Sequence, residues 1–229
     1  MTTFLSPLTL DFLWESLGAG EPPYPLSVRS HGETDDERRA LRQQVTGELG
    51  DAGGPVRDLL ALLAHADRGI DSVWSEEAGG EQAAVAVAAG SRALVATQTP
   101  EGLWLRPIDA GALASTLVEL LPPAPRGSEP SITVAADDLP HGRSHADRQV
   151  LARFAAQRNH RAGQLGVNAR KPMGGHARPP VLSWFDTGTG RYLTYAKRGA
   201  DGHEWITIAP ADPPTLRHRL GELLAAVTA

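Results

Sequence analysis

A chain of 229 residues with 41% hydrophobic and 21% charged residues can bury a sizeable core, which excludes wholesale disorder. Its net charge of −5 at pH 7 argues against a nucleic-acid-binding protein, which normally carries a basic excess or a basic stripe. The lack of cysteine excludes disulfides and thiolate metal sites. No stretch approaches about 18 uncharged apolar residues and the N-terminus is a poor signal peptide, so we predict a cytoplasmic protein without membrane insertion.

The first third of the chain is predicted to be helical. Apolar residues at helical spacing indicate a helix over 8–17, with Gly18 as its stop signal. Thr34 precedes Glu37 by three residues, the spacing of a capping box that opens a charged helix. A third helix is predicted over 56–66, and its apolar composition indicates that it faces the core.

From residue 70 onwards the hydrophobic period changes to the alternation typical of strands. We predict four strands and a helix, then a linker ("PAPRGSEP") and a possible short strand ("SITVA"), then a helix, four more strands and a last helix. The four strands and helix before the linker are 70–75, 83–89, 93–98, 103–108 and 110–121. Those after it are a helix over 146–160, strands over 163–170, 181–186, 191–197 and 203–209, and a helix over 214–227.

The order of these elements repeats itself. Trp104 aligns with Trp205, and "LVELL" at 117–121 aligns with "LGELL" at 220–224. Such a short match can arise by chance in a leucine-rich chain, but the matched order of eight strands favours a duplication. We therefore predict an α+β fold with a central antiparallel sheet, two pseudo-two-fold helix–four-strand–helix halves and packed helices. The predicted ranges are 1–229 for a single domain, and approximately 35–121 and 146–227 for the repeats.

The stretch 181–210 is predicted to form antiparallel hairpins. Its turns "DTGTGR" and "ADGH" supply the Gly and Asp that tight hairpin turns require, and parallel strands would need much longer connections. In the last strand, alternation separates Ile206 and Ile208 from Trp205 and Thr207. We expect a mainly aliphatic face to pack on helices, and a face that combines Trp or Tyr with Thr or Ser to be partly exposed.

No short motif in the chain indicates a phosphate site or catalysis. "GTGRYL" joins two strands, so its glycines indicate a turn rather than a phosphate-binding loop. Adjacent carboxylates such as Glu76 and Glu77, or Asp36 and Glu37, fall in turns or on a solvated helix, where they lack the burial that separates catalytic pKa values. The sequence therefore assigns no catalytic residue and no cofactor.

Metal binding has one weak candidate in the histidines of "HGRSH". His141 and His145 are four residues apart, as in zinc proteases, but no glutamate lies between them and a linker lies beside them. With Asp137 and Asp138 upstream, weak metal binding stays open against the simpler interpretation of a polar loop. No metal ligand is assigned.

A cluster of basic residues lies in the predicted loop over 168–180. Arg170, Lys171, His176 and Arg178 could contact an acidic partner or nucleic acid, or the loop could simply be solvated. Because no reactive constellation is found, a binding module is favoured over an enzyme. The alternative is an enzyme or small-molecule-binding α+β domain with an unrecognised site on the central sheet.

Several stretches resemble one protein family. They are "LTLDFLWESLGAGEPPYPLSVRSHGETDDERRALR" near the start, "WLRPIDAGALASTLVELLPPAP" in the middle, and "GQLGV", "SWFD", "GRYL" and "WITIAPA" between residues 163 and 211. The chain resembles the EspG family of ESX (type VII) secretion-associated chaperones, and the similarity weakens over 122–147. None of these motifs is catalytic.

The resemblance implies a cytosolic chaperone without enzymatic activity, built on a pseudo-two-fold α+β fold. It implies that the partners are PE–PPE protein pairs, and that the chaperone keeps the apolar tip of the PPE helical hairpin soluble for export. We expect a monomer or weak homodimer. Aromatic rings provide contact area at little entropic cost, although packing in the core is the open alternative for each ring. The predicted partner-binding residues are Trp184, Tyr192, Tyr195, Trp205, Arg170, Lys171 and Arg178.

Overall fold

The structure is a computed structural model that describes residues 2–50, 53–76, 80–139, 144–171, 174–200 and 202–228. Its helices are α1 (Pro7–Leu17), α2 (Asp35–Leu49), α3 (Gly53–Ala64), α4 (Leu113–Leu120), α5 (His145–Ala155) and α6 (Pro213–Thr228). The first strands are β1 (Thr3–Leu5), β2 (Arg68–Glu76), β3 (Gly80–Ala89), β4 (Arg92–Thr99), β5 (Gly102–Asp109) and β6 (Ile132–Ala135). The remaining strands are β7 (Arg161–Arg170), β8 (His176–Ala177), β9 (Leu182–Thr187), β10 (Gly190–Arg198) and β11 (Glu204–Pro210).

One eleven-stranded sheet organises the molecule. Its order is β1-β5-β4-β3-β2-β7-β9-β10-β11-β6, with β8 beside β7. Every pairing between these strands is antiparallel. The predicted α+β class with a central antiparallel sheet, including the hairpins of 181–210, is thereby confirmed.

The strand order is symmetric about the β2–β7 pair, which we call the seam. From the seam, β2 to β5 run outward on one side, and β7, β9, β10 and β11 run outward on the other. We call β1 to β5 the first half and β6 to β11 the second half. This order is the one that a duplication would leave, but the single domain and the repeat boundaries 35–121 and 146–227 stay predictions.

The sheet has two faces, which the strand register separates. On the front face, Ile70, Val95 and Leu193 pack against α4 and α6. On the back face of the first half, Val85 and Leu94 pack against α1 and α3. Two hydrophobic cores therefore lie on opposite sides of one sheet.

The N-terminal helices follow their sequence signals. Ser6 accepts a hydrogen bond from the backbone N–H of Thr9 at the start of α1, and Gly18, with φ at 60°, ends it. The capping box predicted from Thr34 and Glu37 is present at the start of α2. Among the described helices, none is long and apolar enough to cross a membrane.

Three details differ from the sequence prediction. Strand β1 was missed because it has three residues and takes its conformation from pairing with β5. Strand β8 was missed because it has two residues and lies in the segment predicted as a loop. Helix α5 ends at Ala155 rather than at 160, and the backbone N–H of His160 already bonds to the Asp186 carbonyl at 2.9 Å.

The Pro-rich linker after α4 is held against the sheet. Arg126 forms a β-bridge with Arg191 of β10. The N–H of Arg191 bonds to the Pro125 carbonyl at 2.8 Å, and the N–H of Gly127 bonds to the Arg191 carbonyl at 3.0 Å. The short strand predicted in "SITVA" forms β6 and pairs with β11 at the edge of the sheet.

Candidate functional site

The back face of the second half is only partly covered by helices. Side chains at the centre of this face are half-buried or exposed, although several are apolar. The register places them on one side, since Thr194 pairs with Ser183 on β9 and with Ile208 on β11. We call this surface the open face, and its residues are Gln164, Ser183, Phe185, Thr194, Ala196, Ile206 and Ile208.

The centre of the same face in the first half is covered by α1 and α3. Leu94 and Leu105 are 0% exposed and Val85 is 1% exposed under α1 and α3. In contrast, Ile206 and Ile208 are half-buried. Neither isoleucine belongs to the two hydrophobic cores of the described residues.

Helix α5 forms one wall of the open face. No residue of α5 is buried, and the helix contacts the edge strand β6. Phe154 meets the sheet through its ring, whose centroid lies 6.2 Å from that of Phe185 and 5.0 Å from that of Tyr192. Beneath the helix, Ile132 and Val134 are 6% and 4% exposed. The helix therefore covers the edge and leaves the centre open.

A depression of about 370 Å³ lies where the open face meets the seam. Val73 and Ser75 of β2 line it together with Gln164, Ser183 and Phe185. Four strands spaced by about 4.8 Å span roughly 14 Å, and a helix with its side chains is about 10–12 Å wide. The open face is therefore wide enough to receive a helix, on a floor that mixes isoleucine and phenylalanine with hydroxyl groups.

Two aromatic residues predicted to contact a partner are buried. Trp184 is 1% exposed on the front face, with the Arg191 guanidinium 4.3 Å from its ring centroid. Tyr192 is 0% exposed on the back face, where its hydroxyl accepts a hydrogen bond from the Glu129 N–H at 3.0 Å. Neighbouring side chains and the linker cover both rings, which is the core packing left open as the alternative, and their contact with a partner stays a prediction.

The chain can be compared with known proteins on this basis. The sequence model described as the EspG family matches residues 6–222. This chain belongs to the EspG family. No curated protein sequence gives a significant match. Among solved structures, the chain is similar to the type VII secretion system chaperone EspG5 of Mycobacterium tuberculosis, solved in complex with a PE25-PPE41 dimer. The TM-score is 0.71 and the sequence identity is 14%, and the match covers 99% of this chain and 97% of that chain.

The motifs that suggested the EspG family have structural roles in this chain. In "GQLGV", a Cβ on Gly163 would lie 2.6 Å from Trp74 Cβ and 2.8 Å from Trp184 Nε1, so glycine makes room for two indole rings. In "SWFD" and "GRYL", Asp186 accepts two hydrogen bonds from the buried Arg191 at 2.7 and 2.8 Å. These residues fix the second half of the EspG fold rather than form a site.

The other two predicted aromatics lie on the front face, opposite the open face. Tyr195 and Trp205 are half-buried, and Trp205 is directly opposite Lys197 in the register. Tyr195 packs against the front core, and the Arg219 guanidinium of α6 lies 5.1 Å from its ring centroid. The expected partial exposure is met at these two positions, and their contact with a partner stays a prediction.

The three predicted basic residues lie near one end of the sheet, in different environments. Arg170 and Lys171 are exposed where β7 ends. Arg178 donates two hydrogen bonds to the buried Asp71 of β2, at 2.6 and 2.8 Å, and this pairing raises the pKa of its guanidinium. Gly166 provides the space, because a Cβ there would lie 2.5 Å from Arg178 Nη2. Partner binding by these three residues stays a prediction, and Arg178 has a structural role in addition.

The weak metal and acidic candidates form no cluster in the part of the chain that the structure describes. His141 and Glu77 lie outside the described residues. His145 begins α5 and contacts Gln149 at 2.9 Å, and Asp36 pairs with Arg39 at 2.6 Å. Within the described part of the chain, no group of three or more His, Cys, Asp or Glu side chains could hold a metal ion.

Sequence reasoning missed the open face itself. It assigned Ile206 and Ile208 to a face packed by helices, whereas helices α4 and α6 cover the other face, with Trp184 and Leu193. Alternation correctly separated the two sides of each strand. The signal that was available is the segment between α4 and β7, which offers one helix with few apolar residues, whereas the segment before β2 contains α1 and α3.

Proposed function

We propose that the protein is a non-catalytic chaperone of type VII (ESX) secretion that binds PE–PPE-type helical pairs and keeps them soluble for export. The open face covers the apolar tip of the PPE-like hairpin. The protein acts in the cytoplasm, before export of its substrate. It works by covering a surface, and no chemical step is required.

One observation carries this proposal: a half-exposed apolar sheet face in a chain of the EspG family. The solved EspG5 chaperone, which has this fold, was captured with a PE25-PPE41 dimer. A folded protein normally buries Ile206, Ile208 and Phe185 more deeply unless a partner completes the packing. The open face matches a helical partner in width, and its apolar floor matches the side chains that such a partner must hide.

The physical gain is the removal of apolar surface from water on both sides. A helical hairpin with an apolar tip aggregates through that tip. Covering it contributes about 25 cal/mol per Å² of apolar area, from which the entropic cost of association is subtracted. The sheet strands hold Ile206 and Ile208 in place before binding, so little order has to be created in the chaperone.

The test is co-expression with a PE–PPE pair encoded in the same genome, followed by size-exclusion chromatography with light scattering. We expect a soluble complex containing one copy of each chain, and a free chaperone with the mass of a monomer near 24.3 kDa or of a weak homodimer. Ile206→Glu places a charge in the apolar floor and is expected to weaken binding at least about tenfold. Cell fractionation checks the cytoplasmic location.

The matched control is Phe4→Glu. Phe4 is 42% exposed and lies on the front face at the far edge of the sheet, against Trp104. We expect this variant to bind the pair with unchanged affinity. Equal loss of binding in both variants, or full binding by a folded Ile206→Glu chain, contradicts the assignment of the open face. Thermal unfolding of each variant shows that it is folded.

A further inference from the structure

A second surface lies on the front face, between α6 and the outer part of β10. It is a groove of about 340 Å³. We call it the basic groove, and its lining residues are Pro180, Leu182, Tyr195, Ala196, Lys197, Arg219, Glu222 and Leu223. It is on the side of the sheet opposite the open face, so an occupant of one surface does not touch the other.

The floor of the basic groove is apolar. Leu182 is 4% exposed and belongs to the front core, against which Leu223 and Tyr195 also pack. A volume of this size is at the lower end of the range for ligand pockets and accommodates a large side chain of a partner. The groove therefore provides a site for one apolar group at a fixed place in the sheet.

The wall of the groove carries two cations, Arg219 and Lys197, and one carboxylate, Glu222. Arg219 donates a hydrogen bond to Glu222 at 2.8 Å and one to the Tyr195 hydroxyl at 3.3 Å, while its guanidinium stacks on the tyrosine ring. The hydrogen bond from Arg219 lowers the pKa of Glu222, and Lys197 contributes through its charge, so the carboxylate stays ionised and neutralised. Lys197 is exposed and forms no ion pair among the residues that the structure describes.

Further basic residues lie at the same end of the sheet as the groove. Strands β7 and β10 run in the same direction because each is antiparallel to β9, so their C-terminal ends lie at the same end of the sheet. Their ends carry Arg170, Lys171, Lys197 and Arg198, all exposed. Both lysines of the chain are among them, in a protein whose net charge is −5. This end of the sheet therefore carries four exposed basic residues, against the exposed carboxylate of Glu204, which is opposite Arg198 in the register.

We infer that the basic groove is a docking site for an acidic peptide segment that carries a large apolar side chain. The apolar side chain enters the groove over Leu182 and Leu223, and a neighbouring carboxylate pairs with Lys197. Charge complementarity selects the acidic partner, and the single apolar cavity selects a peptide rather than a nucleic acid, which would follow a continuous basic stripe. The inference goes beyond the proposed function, and it does not depend on binding at the open face.

The probe is an array of synthetic decapeptides in which Asp, Glu and Leu occur in varied order, with a matched array in which Asn and Gln replace the acids. Binding is measured by fluorescence anisotropy at low and at physiological salt. We expect acidic members to bind and their amide counterparts to bind about tenfold more weakly, as the loss of a charge-assisted hydrogen bond predicts. Lys197→Gln is expected to weaken acidic binding about tenfold, and Lys197→Arg to retain most of it.

Two further variants separate the groove from general electrostatic attraction. Arg57→Gln removes an exposed cation on α3 and is expected to leave binding unchanged. Ile206→Glu tests the open face and is also expected to leave peptide binding unchanged, which separates this inference from the proposed function. The inference is overturned if the two arrays bind equally, if neither binds, or if Lys197→Gln and Arg57→Gln weaken binding equally. It is also overturned if a single-stranded RNA oligonucleotide binds more tightly than the acidic peptides and its binding is lost in Lys197→Gln.

Discussion

The back faces of the two halves of the sheet differ in burial, although each half supplies four consecutive antiparallel strands. Leu105 of β5 is 0% exposed, whereas Ile206 of β11, which aligns with it when Trp104 is matched to Trp205, is half-buried. The strands are equally able to bury an apolar side chain. The difference comes from the segment that precedes the four consecutive strands of each half, because that segment supplies the covering helices.

The two preceding segments use their residues differently. Before β2 to β5, α1 and α3 contribute Leu10, Leu13, Leu60 and Leu63 to the back core. Before β7 to β11, residues 122–131 form no helix, because proline excludes helix there, and Arg126 bridges to Arg191 of β10. The carbonyls of Pro122 and Pro123 accept hydrogen bonds from Arg191 and Arg161, at 2.7 and 3.1 Å. This segment secures the sheet and covers little of its back face.

The largest expected effect tests the comparison directly at the matched positions. Leu105→Ala removes a fully buried side chain and is expected to lower the free energy of unfolding by about 2–5 kcal/mol. Ile206→Ala removes a half-buried side chain, which leaves no closed cavity, and is expected to cost about 1 kcal/mol. Urea unfolding of the free chain measures both values.

The same two variants are expected to rank in the opposite order when binding, rather than stability, is measured. Ile206→Ala is expected to weaken the complex with a PE–PPE pair more than Leu105→Ala does, provided that the latter is assayed below its unfolding temperature. Equal destabilisation of the free chain by the two substitutions would show that the back face of the second half is as well packed as that of the first. The comparison on which the open face is based would then be wrong.

The sequence predicted the elements of this fold well because its periodicity is strong. The four strands of each half lie within about two or three residues of the predicted ranges, since alternating apolar residues and Gly-rich turns are local signals. Strand β1 and the end of α5 depend on contacts with distant segments, namely β5 and Asp186. Local pattern contains no information on such contacts.

The candidate site was less predictable than the fold. Alternation shows that Trp184 and Phe185 lie on opposite faces, but it does not show which face the helices cover. That choice follows from the path of α6, which leaves β11 and crosses the front face towards β7. Trp184 is therefore buried on the front face, whereas Tyr192 is buried on the back face, where its hydroxyl bonds to the linker and Phe154 packs on its ring. Partial exposure was predicted correctly for Tyr195 and Trp205.

The next effect concerns the seam, where the two halves meet. Gly163→Ala would place a Cβ 2.6 Å from Trp74 Cβ and 2.7 Å from the Val73 carbonyl, so backbone must shift. We expect a loss of about 1–3 kcal/mol in the free energy of unfolding. The matched control is Gly221→Ala on α6, where nothing lies within 4 Å and alanine is expected to stabilise by about 0.5–1 kcal/mol. A neutral Gly163→Ala would show that the indoles do not need this space.

A smaller effect is expected at the ion pair that joins the halves across the seam. Arg178→Gln leaves the carboxylate of Asp71, which is 2% exposed, with the Asn168 amide at 3.3 Å. We expect a loss of about 1–2 kcal/mol, because the guanidinium is partly exposed and its hydrogen bonds are partly screened. Arg178→Lys keeps the charge but not the two-pronged geometry and should fall between Gln and the parent. If urea unfolding shows all three chains to be equally stable, the pair contributes nothing to joining the halves.

The smallest expected change in stability concerns the start of α6, which differs from the start of α4 in its cap. The N-cap residue of α4 is Ala112, which provides no side-chain hydrogen bond. Helix α6 begins after Asp212, whose carboxylate accepts a hydrogen bond from the Thr215 N–H at 2.9 Å and pairs with Arg126 at 3.0 Å. The hydrogen bond from the Thr215 hydroxyl lowers the pKa of Asp212 most, and the Thr215 N–H and Arg126 lower it further. Since the folded pKa lies below the unfolded value, this stabilisation is present at neutral pH and is lost as the pH falls through the folded pKa. Asp212→Ala should therefore lower the free energy of unfolding by about 1 kcal/mol at neutral pH, and this loss should shrink in acid. If urea unfolding gives the same loss at all pH values, the cap does not act through its charge.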